Sequence, residues 1–409
     1  MAFYYRLFIS GPRFRRCWIF LIIVTTVVLL LFIVVPWTNK CQNTQTIIRD
    51  WSIFSIDNST EYQQAHSVLS DSSFRRQFRG DEIRHLAFLK VHKAASSTVT
   101  SIIQRFGWER NLNFLLPARS PNLISQNETI NVNNIISDKD ATFDLLCNHV
   151  IYDKEQFTKY LPKDTVFIGI VREPFDQFVS SVYYYKYRWS VPYLARLPSI
   201  NPVKYLLESP NQYEPKKRHD SYTRNRMSVD FGLPEELLHT TDKRKILLYL
   251  QELNSEFKLV LIKEYFDESI ILLRRMLNWN LRDVLYVSKN SLKYVPKINV
   301  RDRHRHKQHS FLDYCLYNFF LRVFWRKVRQ QGEDFHMEVA YFRQLRSAVE
   351  DFCNEEKRNP AFKMRVFEAE ANEFHPDIAI NKDLCELMTL NEVDFTNKLK
   401  WRQFPNLRP

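Results

Sequence analysis

Residues 86–106 read LAFLKVHKAASSTVTSIIQRF. Leu86 to Val91 is a short apolar run broken only by Lys90, and it predicts a buried strand. Thr98 to Phe106 predicts a helix. Between them lie His92-Lys93-Ala94-Ala95-Ser96-Ser97. Strand, short loop and helix in that order can cradle a phosphate. A helix N-terminus presents unpaired N–H groups and the positive end of the helix dipole. Ser96, Ser97 and Thr98 add hydroxyl donors, and Lys90 and Lys93 add cations. The glycines of GxxxxGK[ST] are missing, which argues against ordinary ATP or GTP hydrolysis. Taken alone, these residues also describe a capped helix with a solvent-facing lysine.

Further along, Thr165 to Val171 (TVFIGIV) predicts a second strand that runs into Arg172-Glu173-Pro174 and a helix over Phe175 to Tyr187. Ligands bind at the carboxyl ends of strands in open α/β sheets. An arginine there can grip a phosphate with two parallel N–H groups, and Ser180 on the next helix can share it. The bland alternative is an Arg172–Glu173 surface pair. A third strand, Phe257 to Ile262, precedes a helix around Asp267 to Asn278. Phe311 to Gln331 reads as a long aromatic helix stopped by Gly332, a core element more than a sugar platform. Short apolar strands alternating with helices predict an α/β fold, a parallel sheet with helices on both faces. No second domain boundary is visible after residue 84.

The chain has 409 residues, 45% hydrophobic and 26% charged, with 31 Phe and 20 Tyr. That composition excludes a disordered or collagen-like chain and supplies a large core. Residues 17–35, CWIFLIIVTTVVLLLFIVV, carry no charge and would span about 28 Å as a helix, enough to cross a bilayer. Arg6, Arg13, Arg15 and Arg16 precede them, which predicts a cytoplasmic tail (1–16), a type II signal anchor (17–35) and translocation of the rest. Pro36-Trp37 is a poor cleavage site for a signal peptide. Polar residues 36–83 read as a stem, and 84–409 as the luminal domain.

An oxidising lumen bears on Cys41, Cys147, Cys315, Cys353 and Cys385. Cys41, just past the membrane, is the candidate for a bond between chains in a homodimer. The other four allow three pairings, and spacing does not choose among them. Asn58 and Asn127 head glycosylation sequons. The net charge of +13 fits an anionic ligand or membrane surface, and the topology disfavours nucleic acid. His304, His306 and His309 lie among cations without a cysteine, a poor zinc set.

These motifs together resemble the galactose 3-O-sulfotransferases of the Golgi, a family that includes galactosylceramide sulfotransferase. FLKVHKAASSTV is similar to the family's 5′-phosphosulfate motif, and IGIVREPFDQFVSSVYYY to its 3′-phosphate motif. RFGWERNLNFLLP, LLCNHVIYD, RNRMSVDFGL, FKLVLIKEYFDESIILLRRML and LYNFFLRVFWRKV follow in family order, from about residue 86 to 330. The resemblance implies a P-loop-like sulfotransferase fold. It implies 3′-phosphoadenosine 5′-phosphosulfate as donor, and the 3-hydroxyl of a terminal β-galactose, on a glycolipid or glycan, as acceptor. It puts donor contacts on Lys93, Ser96, Ser97, Thr98, Arg172 and Ser180. The two functional histidines fall on His92 and His149, and either suits the task of general base. Ala94 stands where the family often has Thr. Arg224 and Asn225 are further candidates for donor or acceptor contact. No metal is required, because cations such as Lys93 can neutralise developing charge. The competing expectations are sulfation of another hydroxyl, as in a glycosaminoglycan, and an inactive nucleotide-binding relative.

Overall fold

Four parallel strands make the central sheet of the computed structural model. They are β1 (Leu86–Phe88), β2 (Leu145–Leu146), β3 (Val166–Val171) and β4 (Phe257–Ile262), in the order β2-β1-β3-β4. The structure describes residues 80–137, 142–188, 191–288, 299–358 and 365–407. Flanking helices include α1 (Ser96–Glu109), α2 (Pro174–Tyr185), the short α3 (Arg226–Asp230), α4 (Lys243–Glu256), α5 (Phe266–Leu277), α6 (Val300–His309) and α7 (Phe311–Arg329). The chain leaves β1, adds β2 on one side, then crosses to add β3 on the other. The strand order therefore reverses at β1, and its carboxyl end is where such a sheet binds ligands.

The anticipated strands and helices are present, with two differences. The β1 ladder is shorter than the apolar run. Leu89 N–H still reaches Ile168 O at 2.8 Å, but the Lys90 carbonyl accepts from the His149 side chain at 2.8 Å rather than from a strand. The unexpected strand β2 is two residues long, too short to stand out as a pattern. Residues 80–83 already pack on the domain: Ile83 N–H donates to Leu277 O at 3.0 Å, and Glu82 pairs with Arg110 at 2.5 Å.

Gly169 in β3 has a packing reason. A Cβ there would lie 2.9 Å from the Phe231 ring, so only glycine lets Phe231 seat on the strand. Gly232 follows at φ 75°, where a Cβ would meet the Tyr152 carbonyl at 2.1 Å. These two glycines hold the end of α3 against the sheet. In α7, Leu312, Leu316, Phe320 and Phe324 are buried, so it is a core helix, and Gly332 takes φ 88° beyond its end.

The C-terminal part adds α8 (Asp334–Arg358), an antiparallel ribbon of β5 (Phe367–Ala369) and β6 (Ile378–Ile380), α9 (Lys382–Thr389) and α10 (Glu392–Gln403). Helix α10 lies along α1. Gln104 donates to Thr396 at 3.0 Å, and Arg402 donates to Trp108 O at 3.1 Å. Cys353 and Cys385 form a disulfide that ties α8 to α9. Among the described residues only that one bond forms; Cys147 and Cys315 are buried thiols.

The tail, the 17–35 stretch, Cys41 and Asn58 lie outside the described residues. Among the described residues no helix is long and apolar enough to cross a membrane.

Candidate active site

Three strand ends converge here. His92 and Lys93 follow β1, His149 follows β2, and Arg172 follows β3. The Arg172 guanidinium donates to the Lys93 carbonyl at 3.0 Å, so segments 79 residues apart form one cationic corner. The alternative Arg172–Glu173 surface pair does not form. Glu173 instead caps α2 by accepting from Asp176 N–H, and it pairs with Arg303 at 3.1 Å.

The loop makes its turn without glycine. Lys93 and Ala95 both take left-handed backbone, at φ 59° and 63°. Each costs about 1–2 kcal/mol for a residue with a Cβ. Strain of this kind gathers at functional sites, and turns of alternating hand point successive N–H groups into one concavity. No side chain caps α1, and its first turn holds no acidic residue. Lys93 lies over the Tyr184 ring at 3.5 Å. Burial, then Arg172, Arg188 and Lys90, push its ammonium pKa down to about 8.

The other loop candidates divide. Ser96 donates to Val91 O at 2.7 Å. Lys90 is 1% exposed and pairs with Glu392 of α10 at 2.9 Å. Ser97 donates to the same carboxylate at 3.2 Å. Thr98 is buried in the first turn of α1. Ser180 is buried on α2, and among the described residues no hydrogen bond joins it to Arg172. The Nε atoms of Arg172 and Arg224 are buried with no hydrogen-bond partner among the described residues. The Arg172 Nε, in the cationic corner, is a donor left over for an anion, and with the uncapped loop it fits a nucleotide that carries phosphate at both ends.

The two histidines stack, ring centroids 4.0 Å apart. His92 places Nδ1 2.9 Å from Asp230, and His149 places Nδ1 2.8 Å from Lys90 O. A carboxylate or carbonyl oxygen at Nδ1 fixes the proton there and leaves each Nε2 with its lone pair. Burial lowers the His92 pKa despite Asp230, and burial with His92 and Lys90 alongside holds His149 well below the usual histidine value. Both rings are thus neutral near pH 7, as a base must be. His92 is 4% exposed, whereas His149 is only partly buried.

Asp230 and Arg226 escaped the sequence reading. The RNRMSVDFGL stretch directed attention to Arg224 and Asn225, but Arg226 and Asp230 form the buried pair behind His92, at 2.5 Å. Burial alone would raise the Asp230 pKa; Arg226 and His92 outweigh it and hold the carboxyl below its usual range. Their i,i+4 spacing was the available signal. Asn225 has a structural task, its Oδ1 accepting from Leu312 and Asp313 N–H at the start of α7. Asp313 in turn accepts from Ser228 N–H at 2.8 Å, so α3 and α7 cap each other. Gln177 was also missed; it donates to His92 O at 3.0 Å. Tyr222 sets its edge 5.3 Å from His92 and stacks on Tyr185 at 4.1 Å, which adds an aromatic wall.

The remaining candidates lie elsewhere. His306 contacts Tyr314 at 3.0 Å, His309 contacts Glu214 at 3.2 Å and His304 contacts Gln308 at 3.3 Å, so the three do not converge. Asn127 is exposed, and its amide donates to Asp220 at 2.5 Å.

The Galactose-3-O-sulfotransferase family profile matches residues 16–370. Galactose-3-O-sulfotransferase 2 of Sus scrofa is 29% identical over 357 residues, 81% of this chain and 87% of that protein. Galactosylceramide sulfotransferase of Homo sapiens is 32% identical over 276 residues, 66% of this chain and 64% of that protein. Galactose-3-O-sulfotransferase 2 of Homo sapiens is 33% identical over 268 residues, 63% of this chain and 64% of that protein. Every strand end that builds the cationic corner and the histidine stack lies inside the matched 16–370 span, and on that extent the chain belongs to the galactose-3-O-sulfotransferase family.

Proposed function

We propose that this protein is a Golgi type II membrane enzyme. It transfers the sulfuryl group of 3′-phosphoadenosine 5′-phosphosulfate to the 3-hydroxyl of a terminal β-galactose on a glycolipid or glycoprotein glycan. The observation that carries the reading is the Arg172–Lys93 contact of 3.0 Å beside the stacked histidines. It joins the two segments that resemble the family's phosphosulfate and 3′-phosphate motifs. Family membership and the relatives' names support galactose as acceptor. The uncharged 17–35 stretch behind four arginines supports the membrane topology.

The donor, when bound, supplies an activated sulfuryl group on a phosphate leaving group. The chain's own residues do the rest. Backbone N–H groups at the Lys93–Ala95 turn and the α1 N-terminus hold the 5′ end. Arg172 holds the 3′-phosphate, with Ser180 beside it and Arg224 offering a further N–H. The Lys93 ammonium neutralises charge that grows on the bridging oxygen as the bond to sulfur breaks. His149, the more exposed ring, takes the proton of the galactose 3-hydroxyl on Nε2. Its Nδ1–H stays on the Lys90 carbonyl, which stabilises the resulting imidazolium. His92, fixed by Asp230, braces the His149 ring.

The purified full-length chain, given labelled donor and a panel of galactosides and glycosaminoglycans, tests the reading by mass spectrometry of the products. Sulfate on galactose O3 is the expected outcome. Sulfate only on a uronic acid or hexosamine, or on nothing, contradicts it.

A further inference from the structure

Glu392 lies beyond the 16–370 span of the family match, in the first turn of α10. Its carboxylate nevertheless reaches the loop after β1. One oxygen pairs with Lys90 at 2.9 Å and accepts from Ser97 at 3.2 Å. The other accepts from the Asn122 amide at 3.2 Å. Both partners lead to His149. Lys90 supplies the carbonyl on which His149 Nδ1 rests. Asn122 precedes Leu123, which bridges to His149, and the Asn122 carbonyl accepts from Asn148 at 3.1 Å. One carboxylate thus grips the two backbone segments that bracket the imidazole.

We propose that Glu392 is a positioning residue for sulfuryl transfer: from the C-terminal helix it clamps Lys90 and Asn122 together and so fixes the His149 ring. Helix α10 is well anchored for this. Lys400 donates to Ser120 O at 2.9 Å, and Gln403 exchanges hydrogen bonds with the Phe114 backbone at 2.7 and 3.0 Å. The buried Lys90 ammonium also needs the carboxylate, since a charge out of water without a partner is strongly unfavourable. The other charged or titratable groups facing His149 are His92 from the β1 loop and Arg226 from α3, with Asp230 behind His92. Arg226 reaches the same loop farther along, donating to Gln126 O at 2.9 Å, but none of these groups bonds to the Asn122 side chain, so none replaces the clamp.

The inference rests on His149 as the base, and its test has two arms. In the first, the full-length chain carrying labelled histidine is followed by NMR. The His149 ring protons, shielded by the His92 face, should move toward solvent-exposed positions in Glu392→Ala and return part of the way in Glu392→Gln, whose Oε1 still accepts from Lys90 and whose amide N–H can donate to Asn122 Oδ1 once that amide flips. In the second arm, kcat is measured per nucleotide-binding site, with the sites counted by calorimetry using adenosine 3′,5′-bisphosphate. A displaced base lowers kcat about tenfold or more. Donor KM should change less than kcat, because the clamp reaches the base through Lys90 and Asn122 and touches the phosphate loop only through Ser97 and Lys90. Unmoved His149 signals in Glu392→Ala, or an unchanged kcat per site with only a lower melting temperature, overturn the inference. A wild-type chain that transfers to no galactoside sinks the functional reading alone, because the NMR arm needs no turnover.

Discussion

At the scale of single residues, the site rests on side chains a few positions past a strand end. Lys93 and Arg172 were legible because each lies just past an apolar run, whereas His92 and His149 stood out only through the resemblance to the family. Asp230 was not, since it stands 138 residues from His92 and only folding brings them together. Glu392 was hidden for the same reason, in a segment that carried no motif. His149→Ala should lower kcat about 10²–10⁴-fold and leave affinity for adenosine 3′,5′-bisphosphate within about threefold. A fully active His149→Ala enzyme beside a dead His92→Ala enzyme would transfer the role of base to His92. The depressed pKa of Lys93, about 8, gives nucleotide binding a basic limb. The bound phosphates favour the charged ammonium, so affinity is full below pH 8 and falls by up to about tenfold per unit above it. Calorimetry from pH 7 to 9.5 checks this, and in Lys93→Met the slope should vanish.

Elements were legible in proportion to their length. β4 matches its apolar run from Phe257 to Ile262, whereas β2 has two residues and leaves no period to find. The P-loop-like turn was recognisable as strand, loop and helix, yet its conformation was not. Lys93 and Ala95 adopt the left-handed backbone that sequence reasoning reserves for glycine. The C-terminal elements were the least legible, because what matters there is docking. The Cys353–Cys385 bond closes a loop of 32 residues, and α9, which it anchors, leads directly into α10 and Glu392. Cys353→Ser should therefore cost about 3–4 kcal/mol of stability in chemical denaturation. A loss below about 1 kcal/mol would mean that α10 is held by its contacts with α1 alone.

For the molecule as a whole, the buried histidines set the response to acid. His92, His149 and His306 are all held below the ordinary histidine pKa by burial. The unfolded chain takes up these protons below about pH 6.5 and the folded chain resists them, so the stability present above 6.5 is lost as pH falls. Asp313, which burial raises to about 6, acts oppositely: folded, it binds its proton first and gains stability between about 6 and 3.8. Glu173, also raised by burial, acts in the same sense as Asp313, so three groups stand against two, and the histidines, which respond from pH 6.5 down, decide the sign in this range. The melting temperature should drop between pH 6.5 and 5, each histidine contributing up to about 1.4 kcal/mol per unit, and a rise would show that those rings are charged in the folded state. The parallel sheet was predictable from strand and helix alternation. Its order β2-β1-β3-β4 was not, although it is the reversal at β1 that brings the loops after β1 and β3 side by side. The proposed joint grip of these loops on one nucleotide is tested most directly by a crystal structure with adenosine 3′,5′-bisphosphate. The 5′-phosphate should lie in the Lys93–Ala95 turn and the 3′-phosphate on Arg172. A nucleotide bound elsewhere, or touching only one of the two, would contradict that grip.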